Sequence, residues 1–291
     1  MNEQDWLVEQ FEEHRTHLRA VAYRMLGSLT EADDALQEAW IRLSRSDTEK
    51  VENLGGWLTT IVARVCLNML RSRKARAEEP LGEPVPEPII SSPNGLDPEQ
   101  EALVADSVGL ALLVVLDALT PAERLAFVLH DMFAVPFDEI APIIGRSPAA
   151  ARQIGSRARR RVQGAAPVPD PDLGRQREVV DAFLAASREG DFEALVSVLD
   201  PDVVLRVDRP IPPGAPALIR GAKAVAEQAR LFASLAPFAR PALVNGAMGF
   251  VVAPHGEPFS VLGVTVANGK IVEIDVVADP TCLRQLDLAV L

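Results

Sequence analysis

The chain has 291 residues, 48% of them hydrophobic and 24% charged, and a formal net charge of −12. This composition excludes a disordered chain, and two cysteines are too few for a disulfide scaffold. The charge argues against a protein that coats nucleic acid through bulk electrostatics, while leaving room for a local basic patch.

Residues 5–76 read as three helices. Trp6, Val8, Phe11, Leu18, Val21 and Met25 recur at helical spacing, and Gly27 ends that helix. Thr30 is the expected cap of the next helix, with Glu31 and Asp33 in its first turn. Gly55 and Gly56 predict a break before a third helix over 57–76. Prolines 80, 84, 86, 88, 93 and 98 then predict an extended, semi-rigid linker over 78–98.

A second helical block spans 99–164. Thr120-Pro121-Ala122-Glu123 combines a capping residue, a first-turn proline and a glutamate at the third helical position. A helix over 137–144 closes at Gly145, and Ser147-Pro148 opens the next. Two helices across a tight glycine turn form a helix-turn-helix pattern. After a short linker over 165–172 come helices at 175–188 and 191–199. Strands follow at 203–207, 242–252, 259–266 and 271–277, with a hairpin at Asn268-Gly269. Residues 173–291 therefore predict an α+β domain. The whole is expected to be multidomain, with two all-α domains followed by an α+β domain.

The helix from Ser147 carries the clearest chemistry. Ala151, Ile154, Ala158 and Val162 make an inner stripe, which leaves Arg152, Gln153, Ser156, Arg157 and Arg160 outward, with Arg146 in the turn before. Base edges need bidentate donors near the start of a recognition helix, and phosphates need guanidinium groups. A solvated basic helix end is the plainer reading of arginines alone, but the turn and the Ser-Pro start favour DNA binding. A second basic cluster, Arg71, Arg73, Lys74 and Arg76, follows Asn68 at the end of the third helix. The helix from Thr30 instead shows Asp33, Asp34, Gln37 and Glu38, a solvated face or a protein-docking face. Cys66 and Cys282 lie far apart with no metal-ligand spacing, so reduced thiols are expected. The N-terminal residues lack the plan of a signal peptide. A soluble cytoplasmic protein without metal or cofactor is the expectation.

EADDALQEAWIRL resembles the polymerase-binding helix of region 2 in sigma-70-family factors. GGWLTTIVARVCLNMLRSRKAR resembles the part that melts and reads the −10 element. LTPAERLAFVLHDMFAVPFDEIAPIIGRSPAAARQIGSRARRRV resembles region 4, which reads the −35 element. The three motifs occur in order over residues 5–163 with no region 1.1 or region 3, which is similar to an extracytoplasmic-function (ECF) sigma factor. The resemblance implies sigma region 2 over 1–77 and region 4 over 99–164. It implies core RNA polymerase contacts at Asp33, Asp34, Gln37 and Glu38, and −10 contacts at Asn68, Arg71 and Arg73. It implies −35 contacts at Arg146, Ser147, Arg152, Gln153, Arg157 and Arg160. The wall of the pocket for a flipped base is expected in residues 47–54.

REVVDAFLAASREGDFEALVSVLDPDVVLRVD resembles the start of a SnoaL-like domain of the nuclear-transport-factor-2-like cone fold, in which helices and a curved antiparallel sheet surround a pocket. The resemblance implies a built-in regulator that contacts the sigma regions. The subgroup carries a DGGGK-like loop and a WLPEP-like linker motif. Here VDRPIPPGAPALIRG and PVPEP stand in their places, so a contact between the two elements is either absent or made by different groups. For an enzyme in this domain the candidate polar residues are Asp202, Asp208, His255, Asp275 and Asp279, of which catalysis wants an Asp–His pair in the pocket. Two rivals to a sigma factor remain at this point: a helix-turn-helix regulator that works without polymerase, and a C-terminal enzyme.

Overall fold

The computed structural model describes residues 3–44, 53–75, 85–92, 109–165, 167, 169–209, 214–284 and 286. The chain forms two compact units. One comprises Met1–Glu79 and Val115–Ala165, the other Pro80–Val114 and Ala166–Leu291.

The first unit is helical. Helices α1 (Glu3–Leu26), α2 (Leu29–Leu43) and α3 (Leu54–Ala75) pack on one another through Leu18, Val21, Met25, Leu36, Leu43, Leu58, Val62 and Leu67, all buried. The cap of α2 is Ser28 and not Thr30. Its extended backbone lets Oγ accept from the Glu31 N–H at 3.3 Å. The two glycines do not break α3 but sit inside its first turn. Asn53 supplies the acceptors there, with Oδ1 to the Gly56 N–H and its carbonyl to the Trp57 N–H, each at 3.0 Å. A Cβ on Gly56 would lie 2.8 Å from the Asn53 amide, so glycine serves this cap.

The same unit continues through α5 (Pro121–Phe127), a π-helical turn (Val128–Met132), α6 (Phe137–Ile144) and α7 (Pro148–Ala165). Helix α4 (Leu110–Asp117) precedes them. Thr120 and Glu123 form the expected reciprocal capping box. Gly145 closes α6 with φ of 72°, a left-handed conformation that glycine adopts without a Cβ penalty.

The second unit is built on a seven-stranded sheet of order β1-β4-β5-β6-β7-β2-β3. Its strands are β1 (Ile90–Ser91), β2 (Leu199–Val207), β3 (Leu218–Arg220), β4 (Ala239–Val244), β5 (Ala247–Val252), β6 (Ser260–Ala267) and β7 (Lys270–Val277). Helices α8 (Leu173–Glu189), α9 (Phe192–Val198) and α10 (Ala222–Leu231) accompany it, and α11 (Pro280–Leu283) follows β7. Val180, Phe183, Leu184, Leu195 and Val225 join Leu205, Phe250, Val264 and Ile274 in one core.

Several expectations change. The strand expected over 242–252 is a hairpin. Asn245 and Gly246 both take positive φ, 52° and 78°, so the Asn-Gly signal recognised at 268–269 was present here as well. The sheet is mixed, because β2 runs parallel to β7. Strand β3 and helix α10 were not anticipated.

The proline-rich segment is not wholly a linker. Pro86, Pro88, Ile89, Ile90 and Ser91 are buried, and β1 pairs antiparallel with β4 through Ile90–Val244 and Ser91–Leu243. The Ile89 N–H donates to Asn245 Oδ1 at 2.9 Å, and the Asn245 N–H donates to the Ile89 carbonyl at 2.8 Å. The segment after PVPEP is thus joined to β4 by backbone pairing and by the Asn245 side chain, while residues 210–213 of the loop VDRPIPPGAPALIRG lie outside the described residues. Pro86 and Pro88 precede β1, so their missing N–H groups remove no bond from its pairing with β4.

Candidate promoter and polymerase interfaces

Helix α7 packs by its expected stripe. Ala151 and Ala158 are fully buried, and Ile154 and Val162 nearly so. A Cβ on Gly155 would stand 2.7 Å from the Phe137 ring, so glycine there lets α7 approach α6 closely. The Phe137 ring in turn lies against His130 of the π turn, with centroids 3.9 Å apart.

With the stripe buried, Arg146, Ser147, Arg152, Gln153, Arg157 and Arg160 are all exposed on the outer side of the turn and helix. Ser147 Oγ accepts from the Ala150 N–H at 3.3 Å, so part of its hydroxyl serves as a helix cap. Arg152 reaches Asp138 at 3.3 Å, but both groups are exposed, and such a pair holds an arginine weakly. Arg159 and Arg161, expected to thicken the basic end, are engaged with Asp131 and Glu123 at 2.5 and 2.9 Å. Burial pushes the Glu123 carboxyl up, but the Thr120 hydroxyl and N–H and the nearby Arg161 outweigh it and hold it below its usual range.

On α3, Asn68 and Arg71 are exposed, whereas Arg73 is half-buried and ion-paired with Glu31. Burial is the larger influence on Glu31 and raises its carboxyl, with Arg73 opposing. Arg71 shares a pocket with Arg146, Arg157 and Arg161 from the helix-turn-helix. Of the base-pocket wall expected over 47–54, residues 47–52 lie outside the described residues, as does the basic residue Arg76.

On α2, Asp34, Gln37 and Glu38 are exposed. Asp33 is held by Arg19 through two hydrogen bonds of 2.7 and 2.9 Å, and Glu38 pairs with Arg42 at 2.9 Å. Beside them runs a groove lined by Val8, Phe11, Trp40 and Ile41, with Asp33 and Gln37 also contributing. Val8 and Ile41 are 46% and 42% exposed, an unusual display for large apolar side chains. Helical periodicity alone placed Val8 among inward residues and gave no sign of this groove.

The enzyme candidates do not converge. Asp202 and His255 are exposed, and His255 lies near the ring of Phe238. Asp279 caps α11 at the Thr281 N–H. Asp208 accepts from the N–H groups of Ala278 and Asp279 at 2.8 and 3.2 Å, and burial raises its carboxyl against those bonds. Asp275 is buried beside Arg206 and Glu273. Burial, opposed by Arg206, pushes Asp275 up to about 6. The Cys66 thiol is buried and pushed up to about 12, which suits an inert core residue. No group of three His, Cys, Asp or Glu able to hold a metal ion occurs among the described residues, and none of their helices is long and apolar enough to cross a membrane.

Residues 10–76 match the family model for sigma-70 region 2, and residues 109–162 match that for sigma-70 region 4. The chain is 38% identical to the ECF RNA polymerase sigma factor SigJ of Mycobacterium tuberculosis, over 94% of its own length and 92% of the relative's. The chain belongs to the ECF RNA polymerase sigma factors. A second similar relative of this sigma factor is the probable ECF RNA polymerase sigma factor SigI of the same species, 32% identical over 98% of both chains. The crystal structure of SigJ superposes with a TM-score of 0.79 at 37% identity, covering 94% of this chain and 97% of that one. The fold is therefore that of two helical sigma regions followed by a SnoaL-like α+β domain. A sigma factor directs core RNA polymerase to promoter DNA, and the rival reading of a regulator that acts without polymerase falls away.

Proposed function

We propose that Arg146, Ser147, Arg152, Gln153, Arg157 and Arg160 read the −35 duplex and that Asn68 and Arg71 meet the −10 strand. Asp34, Gln37 and Glu38, flanked by the exposed Val8–Ile41 groove, dock on core polymerase in the cytoplasm. Asp33 and Arg73 join these surfaces only by exchanging their partners Arg19 and Glu31, so they contribute less than their neighbours. The observation that carries the reading is the exposed guanidinium face of α7 above a buried stripe. The dispersed polar residues of the C-terminal domain support a regulator and not an enzyme.

Two features support control in cis. Arg71 and the arginines of the helix-turn-helix line one pocket. The −10 and −35 elements lie about 25 base pairs apart by name, or ~85 Å of duplex at about 3.4 Å per step. Reading both at once requires regions 2 and 4 to part. The segment joining those regions is also bound as an edge strand of the C-terminal sheet. The C-terminal domain thereby limits how far that segment can extend.

Run-off transcription with core polymerase tests this, comparing the full chain with a chain stopped after Gly164. The expected result is promoter-specific transcript from both, in different amounts. Transcript without −35 dependence refutes the recognition surface, and equal amounts refute control in cis.

A further inference from the structure

The core of the SnoaL-like domain is not filled. Between α8, α10 and the inner face of the sheet lies a cavity of about 140 Å³. Phe183, Phe232, Phe250 and Phe259 contribute rings to its wall, with Leu205 and Ile274 between them. An apolar cavity of roughly 150 Å³ in another protein stays dry and takes up benzene. Small side chains keep this one open: Ala229, Ala236 and Ala239 line it where larger residues would close it.

Strand register removes acid–base chemistry from the cavity. On β7, Ile274 and Val276 line it, so the alternating Glu273 and Asp275 face the opposite side of the sheet. On β2, Leu205 and Val207 line it, while Arg206 faces away and pairs with both carboxylates. Among the described residues no Asp, Glu, His or Cys lines the cavity. The few polar groups are Ser187, Ser260, Gln228 and Arg209. The Ser187 hydroxyl already donates to the Phe183 carbonyl at 2.8 Å, and Arg209 is exposed at the edge.

We propose that this cavity is a receptor site for a small neutral molecule with an apolar, ring-sized body, such as a monocyclic aromatic compound. The ring packs among the phenylalanines, and any polar substituent points to Gln228 and Arg209. The molecule is bound and released unchanged, because the described wall offers no general acid or base to activate its two serine hydroxyls.

Isothermal titration calorimetry on the full chain tests the site with toluene and p-cresol, and with glucose as a hydrophilic ring of similar size. Saturable one-to-one binding of toluene and p-cresol is expected, with glucose at least a hundredfold weaker. Ala229→Phe, on the half-exposed face of α10, should weaken toluene by at least tenfold while leaving the circular dichroism spectrum unchanged. Should that variant misfold, Ala229→Leu fills less volume and should weaken toluene less. No saturation up to the solubility limit of toluene and p-cresol overturns the proposal. So does equal binding of glucose, or unaltered toluene binding in a folded Ala229 variant.

Discussion

Asn245 holds the inter-region segment by two separable means. Its Oδ1 takes the buried Ile89 N–H at 2.9 Å, and its backbone sits at φ of 52° in the turn joining β4 to β5. Asn245→Gly keeps the left-handed turn and removes only the side chain. The orphaned N–H then costs about 1–3 kcal/mol, a factor of about 5–150 in the local docking equilibrium. Asn245→Ala loses the same bond, and alanine also lacks the tolerance of the left-handed region that asparagine has, a further cost of about 1–2 kcal/mol relative to glycine. Hydrogen exchange followed by mass spectrometry on a peptide covering 85–92 reads this directly, because opening a local unit raises its exchange in proportion to the opened population. The expected order of protection is wild type, then Gly, then Ala, with β6 and β7 unchanged. Wild-type exchange in the Gly variant would refute the view that this amide anchors the strand, and equal rates in Gly and Ala would refute the turn argument.

Four further outcomes are expected. Arg152→Ala and Arg157→Ala should each weaken binding to a −35 duplex at least severalfold in an anisotropy assay, while leaving affinity for core polymerase unchanged. Asp34→Lys should reduce association with core polymerase in a pull-down without altering the thermal melt, since this residue is exposed. Gly249→Ala should unfold or severely destabilise the C-terminal sheet, because its Cβ would lie 2.3 Å from the Leu262 carbonyl oxygen on the paired strand. Asp275 is raised to about 6, so folding favours its protonated form. The stability it permits is present at about pH 4 and lost as pH rises towards 6. Asp275→Asn should therefore raise the melting temperature at pH 7.5 and change it little at pH 4. Beside one Arg206 it leaves one carboxylate, Glu273, in place of two.

Local signals carried much of this protein. Thr120 with Glu123, Gly145, and Ser147-Pro148 fix helix ends through bonds within a few residues, so the helix-turn-helix and its exposed arginines are legible from spacing alone. The apolar period of α7 decides which arginines face outward whatever packs beneath. Asn245-Gly246 was legible by the same rule that served Asn268-Gly269. Other features depend on partners distant in the chain. The edge strand Ile90–Ser91 forms only because β4, more than 150 residues on, presents an unpaired backbone and Asn245. No proline-rich composition discloses such a partner. The engagement of Arg73 by Glu31 and of Asp33 by Arg19 likewise arises only when helices pack. The cavity is the extreme case. Alternation along β2 and β7 sets which side chains share a face, but only the packing of that face against α8 and α10 decides that it encloses space and that the carboxylates lie outside it.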